Sequence, residues 1–592
     1  LLEIGRQKRP HLYDMNTDKP EQLVTRDMRY EVHERVAHDG SVIAELDPDE
    51  IRAIATKLRE QKAASVAVTF LYSYARSNHE RIVLEILREE LPDAFISVSH
   101  QVAPEFREYE RTSTTVVNAY LGPIMKRYID RLDGRLRDLG LATAPHLTQS
   151  NGGVTSFETA AELPVRTVLS GPSTGVVAAQ EIGRRAGMLN LITFDMGGTS
   201  SDVALLRNGV CAVSNSAVVH GYPIIAPMLD IHTVGAGGGS IAHIDAGGLL
   251  KVGPRSAGAN PGPVCYGLGN DEPTVTDANV VMQTLNPTHL LDGRMAIDRS
   301  LSVAAVERLA GRLGLDLMAA ASGIISVVTA NMARAIRVIS IQRGYDPRQY
   351  ALTAFGGAGP LHAARLAREL QMTSLLVPRM PGVLCAVGLL LTDLRANFSR
   401  TNLVPMTDTT PESLEESFSG LMEDARRWFE AEGVLPESRA LSRVVDMRYE
   451  GQNYELSVPL PGDSVTAESL KLLERGFLAA HHRLYGFTAD GDALQIVTVR
   501  VEATGLVRKA EFPEREPAAT PVEDAVAGYR DVYFPEAGGF VNCPVYARDR
   551  LGYGHRFEGP AIVEQMDATT VVLPGMTARI DTHLNLILED AQ

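Results

Sequence analysis

The sequence contains few cysteines. Only four occur in 592 residues, namely Cys211, Cys265, Cys385 and Cys543, and no two of them form a C-x-x-C pair. A zinc knuckle needs closely spaced thiols, and a small disulfide-stabilised secreted domain needs a much higher density of them. Both classes are therefore disfavoured, and the cysteine usage predicts a protein of the reducing cytoplasm.

The sequence also lacks an excess of positive charge. Lysine and arginine number 57 against 73 aspartates and glutamates, which gives a net charge of −16. A protein that binds nucleic acid through a broad surface needs a basic patch to contact the phosphate backbone. The charge balance therefore predicts that nucleic acid is not a partner.

Uncharged stretches suited to crossing a membrane are missing as well. The stretch 208–229 contains Pro223 and Pro227, which spoil a lipid-facing helix. The stretch 317–333 has 17 residues with polar side chains among them, whereas a span needs ~20 predominantly apolar residues. We expect strand and loop in the first, a buried helix in the second, and no membrane association.

What remains is the composition of a globular protein with several domains. Hydrophobic residues make up 45% and charged residues 22% of the chain, close to the globular average. At ~150 residues per domain the length corresponds to about four domains, with two or three larger ones equally admissible. A long amphipathic helix is predicted over 108–139, with a break at Gly122-Pro123 where the two residues punctuate it.

The most informative segment is 195–202, with the sequence Asp-Met-Gly-Gly-Thr-Ser-Ser-Asp between two buried-strand patterns. It predicts a strand, a tight turn and a second strand. Gly197 and Gly198 carry no side chain that would block a phosphate, so that consecutive backbone amides are able to point at its oxygens. Thr199 and Ser200 add hydroxyl donors. The turn is therefore predicted to be a phosphate cradle.

Two carboxylates, Asp195 and Asp202, flank this turn. Carboxylates at the edge of a phosphate cradle hold Mg²⁺ through its waters or orient an attacking nucleophile. We predict both as catalytic residues, with Asp195 also close to Mg²⁺. The alternative is a plain glycine hairpin with two solvated acids, since hairpins often use glycine with Asp or Asn.

Two further glycine clusters follow in chain order. One is 235–240 (Gly-Ala-Gly-Gly-Gly-Ser), and the other is 355–360 (Phe-Gly-Gly-Ala-Gly-Pro), which opens a helix. The hairpin and the cluster 355–360 resemble the actin, hexokinase and Hsp70 superfamily of ATPases, in which a D-x-G-G-T hairpin wraps phosphates and a later G-G turn supports the adenosine. The alternative for the later cluster is ordinary helix-entry chemistry. The resemblance implies ATP and these cofactor-binding residues: Gly197, Gly198, Thr199, Ser200, Gly237, Gly238, Gly239, Gly356, Gly357 and Gly359.

A narrower resemblance rests on five segments in order along nearly the whole chain. They are 170–172 (Ser-Gly-Pro), 195–200 (Asp-Met-Gly-Gly-Thr-Ser), 233–240, 253–258 and 274–279 (Thr-Val-Thr-Asp-Ala-Asn). Together they closely resemble the hydantoinase A/5-oxoprolinase family. That family includes the A-type component of the ATP-dependent N-methylhydantoinase and the β subunits of acetone and acetophenone carboxylases.

The resemblance implies a fold and a domain order. The expected fold class is α/β, an actin/hexokinase-like (ribonuclease H-like) two-domain ATPase core followed by a C-terminal α+β domain with a β-rich end. The expected domains are an N-terminal hydantoinase/oxoprolinase domain over 1–187, a hydantoinase A ATPase domain over 188–395 and the C-terminal domain over 396–592.

The resemblance also implies a function. ATP would phosphorylate an amide or ketone oxygen and so create a leaving group. The expected activity is ATP-dependent hydrolysis of a five-membered cyclic amide or imide, such as hydantoin, N-methylhydantoin or 5-oxoproline, together with a B-type subunit in a dimer or hetero-oligomer. Two alternatives stay open, a β-type subunit of a ketone carboxylase and a non-catalytic, nucleotide-gated regulatory subunit; a sugar kinase is a weaker third.

The sequence departs from the family pattern in three places. Family members usually carry an earlier D-x-G-G-T loop ahead of a segment like 2–7, and these 592 residues contain no such loop. We therefore expect the chain to begin inside a longer gene product. The segments 173–175 (Ser-Thr-Gly) and 282–284 (Met-Gln-Thr) replace the more usual Ala-Gly-Gly and Leu-Gly-Arg, which leaves the substrate open.

A second divalent metal is suggested by Asp230-Ile231-His232. Both ligand-type side chains lie on one face if this segment is extended, and Asp277 is expected to join them in space. The alternative is a hydrogen-bonded core histidine with an aspartate that caps a nearby turn.

Overall fold

The apolar runs that flank the first glycine turn form two neighbouring strands of a nine-stranded mixed sheet. The computed structural model describes residues 1–7, 13–14, 16–489 and 491–590. Contacts group these residues into two compact units. The first unit comprises Leu1–Ser170, Val213–Met228 and Thr392–Arg508, and the second comprises Gly171–Ala212, Leu229–Leu391 and the chain from Lys509 onward. The three consecutive domains expected from the sequence stay a prediction.

The second unit combines the nine-stranded sheet with a four-stranded sheet and several helices. The order of the large sheet is β12-β8-β7-β17-β18-β29-β28-β25, with β9 on β8, and that of the smaller sheet is β23-β24-β26-β27. Its elements are α6 (Ser170–Arg185), β7 (Leu191–Met196), β8 (Ser201–Arg207), β9 (Val210–Cys211), β12 (Ile231–Val234), β13 (Ser240–Ile244), β14 (Leu250–Ser256), α7 (Val275–Met282), β15 (His289–Leu290), β16 (Met295–Ala296), α8 (Arg299–Leu313), α9 (Leu317–Ile339), β17 (Ala351–Phe355), α10 (Gly359–Glu369), β18 (Ser374–Val377), α11 (Leu384–Leu389), β23 (Val526–Phe534), β24 (Gly539–Ala547), β25 (Arg556–Glu558), β26 (Ala561–Glu564), β27 (Thr569–Val572), β28 (Met576–Ile580) and β29 (Leu586–Asp590).

The first unit is built around a six-stranded sheet in the order β21-β20-β22-β19-β6-β5 and a parallel pair, β3-β4. Its elements are β1 (Arg35–Val36), β2 (Val42–Ala44), α1 (Pro48–Glu60), β3 (Ser65–Val68), α2 (Asn78–Glu90), β4 (Phe95–Val98), α3 (Ser99–Val102), α4 (Glu108–Asp138), β5 (His146–Thr148), β6 (Val154–Ser156), α5 (Phe157–Glu162), β10 (Val213–Val219), β11 (Tyr222–Leu229), β19 (Leu394–Pro405), α12 (Pro411–Ala431), β20 (Arg439–Tyr449), β21 (Leu456–Leu460), α13 (Ala467–Tyr485) and β22 (Leu494–Gly505). Helices and sheets are thus mixed in both units, as the α/β class predicts.

The helix α4 corrects one prediction. It runs without a break from Glu108 to Asp138 and contains Pro123. The glycine before this proline has a packing role, because a Cβ at Gly122 would lie 2.2 Å from the ring of Phe95. The two residues therefore mark close packing of a strand against the helix and not a helix end.

The apolar helix α9 lies in the core of the second unit. It is 23 residues long, more than the 17 of the uncharged stretch from which it was predicted. By length and composition the stretch Leu317–Arg343 is apolar enough to cross a membrane. In the structure Ile324, Val328, Met332 and Ile336 are fully buried in the main hydrophobic cluster of the unit. Burial against neighbouring helices and strands accounts for its apolar character.

Candidate functional site

The predicted hairpin is present, with its turn at the end of β7. The strands β7 and β8 pair antiparallel, and the register places Asp195 opposite Asp202. The N–H of Gly197 donates to the carbonyl of Ser200 at 3.1 Å and closes the turn. Within the described parts of the chain, the N–H groups of Gly198, Thr199 and Ser200 donate no hydrogen bond. Three consecutive amide donors are therefore available in the turn.

The two glycines of the turn border open space. A Cβ at Gly197 or Gly198 would meet no described atom within 4 Å, and neither residue has a left-handed φ. An alanine would therefore fit at either position without clash or backbone strain. Packing within the described part of the protein therefore does not require glycine at 197 or 198. Close approach of a ligand to the backbone is a reason for glycine at these positions.

The cluster 235–240 supports the turn from the opposite side. The N–H groups of Gly238 and Gly239 donate to the carbonyls of Gly197 and Gly198, at 3.0 and 2.6 Å. A Cβ at Gly237 would lie 2.6 Å from backbone atoms of Gly198 and Thr199. The two glycine segments are thus interlocked through their backbones.

This interlocking changes the role expected for Gly237, Gly238 and Gly239. The N–H of Gly237 also has a partner, the hydroxyl of Ser240 at 2.8 Å. All three amides are therefore engaged within the protein, although Gly238 still borders the adjacent cleft. The geometry assigns these glycines to holding the turn and leaves the open amides of 198–200 to face a ligand.

The third glycine cluster, 355–360, packs against the C-terminal end of β7. The N–H of Ala358 donates to the carbonyl of Met196 at 2.9 Å. Gly356 has a φ of +77°, and a Cβ there would lie 2.4 Å from Oδ1 of Asp195. Glycine is needed at this position both for its conformation and for the approach of the carboxylate. Gly359 begins α10, with Pro360 in the first helical turn as the sequence predicts.

A cleft of about 700 Å³ adjoins the open turn within the second unit. This volume suits a small-molecule ligand. One side of the cleft is formed by the glycine segments and the starts of α7 and α10, and the other by residues of the C-terminal strands. The lining includes Gly197, Gly198, Gly238, Tyr266, Thr276, Asn279, Gly357, Ala358, His362, Tyr546 and Arg550.

The carboxylates of the hairpin are perturbed by their surroundings. Burial raises the pKa of Asp195 to about 6, and repulsion from Asp202 adds to the rise. A hydrogen bond from the thiol of Cys385, at 3.3 Å from Oδ2, acts in the opposite direction. Burial also raises the pKa of Asp202, against a 2.5 Å hydrogen bond from the hydroxyl of Thr233. Two partly buried carboxylates beside open amides suit the binding of a phosphate together with a cation.

The structure does not gather Asp230, His232 and Asp277 into one ligand set. Asp230 forms an ion pair with Arg343, whereas His232 lies on β12 opposite Val203. Across the described residues, no group of three His, Cys, Asp or Glu side chains is placed to hold a metal ion. The second metal site expected from the spacing is therefore not formed by these three side chains.

Asp277 instead organises the start of α7. Its carboxylate accepts hydrogen bonds from three backbone N–H groups and two hydroxyls, at 2.6 to 3.0 Å, and its side chain is completely buried. With Thr274 it forms a capping box. Asp277 is thus a structural residue at the start of a helix. The donors are Val264 N, Cys265 N, Thr274 N, Thr274 Oγ1 and Ser302 Oγ.

We expect Asp277→Asn to lower the free energy of unfolding by about 2 kcal/mol, because the amide nitrogen would face buried donors that lose their acceptor. The exposed Asp271, six residues earlier, provides the matched control. Denaturant unfolding of both variants checks the prediction. Equal stability of Asp277→Asn and Asp271→Asn would contradict the capping role.

Several side chains of the site carry no local sequence signal. Cys385 is 190 residues from Asp195 in the chain, and Thr233 is 31 residues from Asp202. His362 borders the cleft, is almost fully buried, and its Nδ1 has no partner among the described residues. Only the fold brings these groups to the hairpin and the cleft.

Three models of parts of the same protein family match the chain. They are the hydantoinase/oxoprolinase N-terminal region over residues 1–91, the hydantoinase/oxoprolinase model over 111–398 and the hydantoinase/oxoprolinase C-terminal domain over 406–591. The middle match begins within α4, near its start, and ends within β19.

Similar proteins include the alpha subunit of the caprolactamase from Pseudomonas jessenii, which is 36% identical over 98% of this chain and 84% of its own length. The crystal structure of the ATP-dependent caprolactamase from that organism matches all of this chain and 86% of its own, with a TM-score of 0.90. The acetophenone carboxylase gamma subunit of Aromatoleum aromaticum is 35% identical over 97% of this chain and 80% of its own length. A nucleotide-free acetone carboxylase structure is 27% identical, with a TM-score of 0.78 over 96% of this chain and 82% of that one.

Proposed function

Because this chain belongs to the hydantoinase/oxoprolinase family, we propose that it is the ATP-hydrolysing subunit of an enzyme that opens a cyclic amide or imide. Hydantoin, N-methylhydantoin and 5-oxoproline are substrates of the proposed type, and the likeness to a caprolactamase extends the class to other lactams. The proposed substrate class is therefore defined by its cyclic amide bond and not by one ring size.

The observation that carries this proposal is the open turn of the hairpin. Three successive amides, those of Gly198, Thr199 and Ser200, have no partner among the described residues, and packing does not require glycine at 197 or 198. Such an arrangement forms an anion-binding concavity that suits the terminal phosphates of ATP. The adjacent cleft and the turn at Gly356-Gly357 provide the space and the backbone surface for the nucleoside side.

The carboxylates supply the second part of the proposed chemistry. Asp195 and Asp202 lie on neighbouring strands directly before and after the turn. Their oxygens are the donor type that Mg²⁺ prefers, so the residues present fit this ion. When bound with ATP, Mg²⁺ neutralises negative charge that develops on the phosphates. Asp195 additionally requires its ionised form for this role, and its raised pKa makes that form pH-dependent near neutrality.

The proposed reaction has two steps. The amide oxygen of the ring attacks the γ-phosphorus of ATP, the bond from that phosphorus to ADP breaks, and ADP leaves. Hydrolysis follows: one water adds to the activated ring carbon and the C–N bond breaks, with the ring nitrogen taking a proton, to leave an acyl phosphate, and a second water converts this acyl phosphate to a carboxylate and inorganic phosphate. The open amides hold the phosphoryl group during transfer, which is the role of preorganised donors in such reactions.

The proposal includes a partner. The relatives are named as subunits, alpha for the caprolactamase and gamma for the acetophenone carboxylase. We infer that this chain acts with a B-type subunit in a hetero-oligomer.

Ketone carboxylation is the second candidate, and the 35% identity to the acetophenone carboxylase gamma subunit favours it. The higher TM-score to the caprolactamase, 0.90 against 0.78 to the acetone carboxylase, supports our preference for cyclic amide hydrolysis. A nucleotide-gated subunit without turnover of its own is the remaining alternative.

Phosphate release from ATP, measured with the partner subunit present, tests the proposal. The substrates are hydantoin, N-methylhydantoin, 5-oxoproline and caprolactam in one set, and acetone and acetophenone with bicarbonate in another. We expect a cyclic amide to stimulate phosphate release together with ring opening. Phosphate release stimulated only by a ketone with bicarbonate would support the carboxylase instead. Nucleotide binding without stimulated phosphate release would support the nucleotide-gated regulatory subunit.

A further inference from the structure

We propose that Cys385 is a positioning residue whose thiol holds the carboxylate of Asp195 in place through a hydrogen bond. The short segment that carries this cysteine is fixed by two hydrogen bonds and by packing against α6. This inference rests on the proposed function, since it assigns a partner to the carboxylate given a catalytic role there. Cys385 is not itself proposed to touch the nucleotide or the substrate.

Among the described residues, Cys385 is the one whose side chain donates a hydrogen bond to the carboxylate of Asp195. Sγ of Cys385 lies 3.3 Å from Oδ2 of Asp195. The other oxygen, Oδ1, lies against Gly356, where a Cβ would come within 2.4 Å of it. One oxygen of the carboxylate is thus held by the thiol and the other is confined by the glycine turn.

The segment that carries the cysteine is anchored at its start. The carbonyl of Pro381 accepts the N–H of Gly356 at 2.9 Å. The N–H of Gly382 donates to Oδ2 of Asp567 at 2.9 Å, and a Cβ at Gly382 would lie 2.7 Å from that side chain. Two hydrogen bonds to different parts of the second unit therefore fix the backbone a few residues before the thiol.

The thiol is also packed on its far side. A Cβ at Gly175 of α6 would lie 2.9 Å from Sγ of Cys385 and 2.7 Å from the ring of Phe355. Gly388, one helical turn later in α11, makes a similarly close approach to Thr174. The close packing of α6 against the segment that carries Cys385 thus helps to set the position of the sulfur relative to Asp195.

The electrostatic surroundings make the thiol a donor and not a competing base. Burial and the neighbouring Asp195 raise the pKa of Cys385 to about 12, so it is protonated at neutral pH. The titratable groups that act on Asp195 are Asp202 from β8, which raises its pKa, and Cys385 from α11, which lowers it. A thiol is a weak donor, so that it orients the carboxylate and leaves most of its charge available.

The test compares Cys385→Ala, which removes the donor, with Cys385→Ser, which keeps one. The readouts are kcat and KM for ATP hydrolysis at pH 8. We expect kcat to fall about tenfold in Cys385→Ala, the effect of losing one hydrogen bond to a charged group, with KM for ATP little changed. Cys385→Ser should restore kcat.

A second readout is independent of turnover. The unfolding free energies of wild type, Cys385→Ala, Asp195→Ala and the double variant at pH 8 form a double-mutant cycle. We expect the two substitutions to be coupled, because each removes one partner of the same hydrogen bond. If their effects are additive and folded Cys385→Ala keeps the wild-type kcat, the positioning role is wrong. If Asp195→Asn keeps full ATP hydrolysis, the role proposed for Asp195 in that function fails, while the stability readout still decides on the thiol.

Discussion

Replacing Asp195 with asparagine should lower ATP hydrolysis at least about 100-fold and, at the same time, stabilise the fold at pH 8. The loss of activity follows from removing the charge beside the phosphate-binding turn. The gain in stability follows from burial, which raises the pKa of this carboxyl from its ordinary 3.8 to about 6. Holding it ionised in the folded protein costs up to about 3 kcal/mol, and asparagine avoids that cost.

The sign of this effect gives an internal control. Between pH 4 and 6 the folded protein keeps the proton of Asp195 while the unfolded chain has lost it, so wild-type stability falls as pH rises through this window. Asp195→Asn should therefore exceed the wild type in unfolding free energy at pH 8 and match it at about pH 4. Unchanged turnover would remove Asp195 from the mechanism, and a destabilised variant at pH 8 would show that its burial costs nothing.

The second large effect concerns the interlocked glycine segments. Gly237→Ala should destabilise the protein by about 3 kcal/mol or more and abolish ATP binding. A Cβ at this position would lie 2.6 Å from backbone atoms of Gly198 and Thr199. Backbone atoms cannot move aside as a flexible side chain does, so the turn itself must shift. Denaturant unfolding and calorimetric titration with ATP measure the two effects.

Gly198→Ala is the matched control for this clash. Its Cβ would meet no described atom within 4 Å, so stability should stay within about 0.5 kcal/mol of wild type. Because the same methyl group occupies the open face of the turn, ATP affinity should still fall about tenfold, or ~1.4 kcal/mol. Wild-type stability of Gly237→Ala would contradict the interlocked geometry, and wild-type ATP affinity of Gly198→Ala would contradict a ligand at the open amides.

Local sequence patterns predicted the elements that depend on neighbouring residues. The segment 195–202 has the expected order of strand, turn and strand, and the buried helix expected in 317–333 is part of α9. Each follows from strand or helix periodicity and from capping or turn residues within a few positions. The break expected at Gly122-Pro123 was wrong because the ring of Phe95, on another element, occupies the space beside the glycine.

The site depends more strongly on contacts between distant segments. The role of Gly237, Gly238 and Gly239 is decided by hydrogen bonds to a turn about 40 residues earlier, which no local pattern encodes. The sequence predicted Asp277 as a metal ligand from its residue type alone. In the structure, five hydrogen-bond donors from three segments surround its carboxylate. Cys385 had no signal at all, because its importance lies in a single contact with Asp195.

A crystal structure of the protein with Mg²⁺ and a non-hydrolysable ATP analogue tests the central claim most directly. We expect terminal phosphate oxygens at about 3 Å from the amide nitrogens of Gly198, Thr199 and Ser200, with the nucleoside in the adjacent cleft. An analogue bound elsewhere, with those three amides facing only solvent, would contradict the assignment of this turn as the phosphate site.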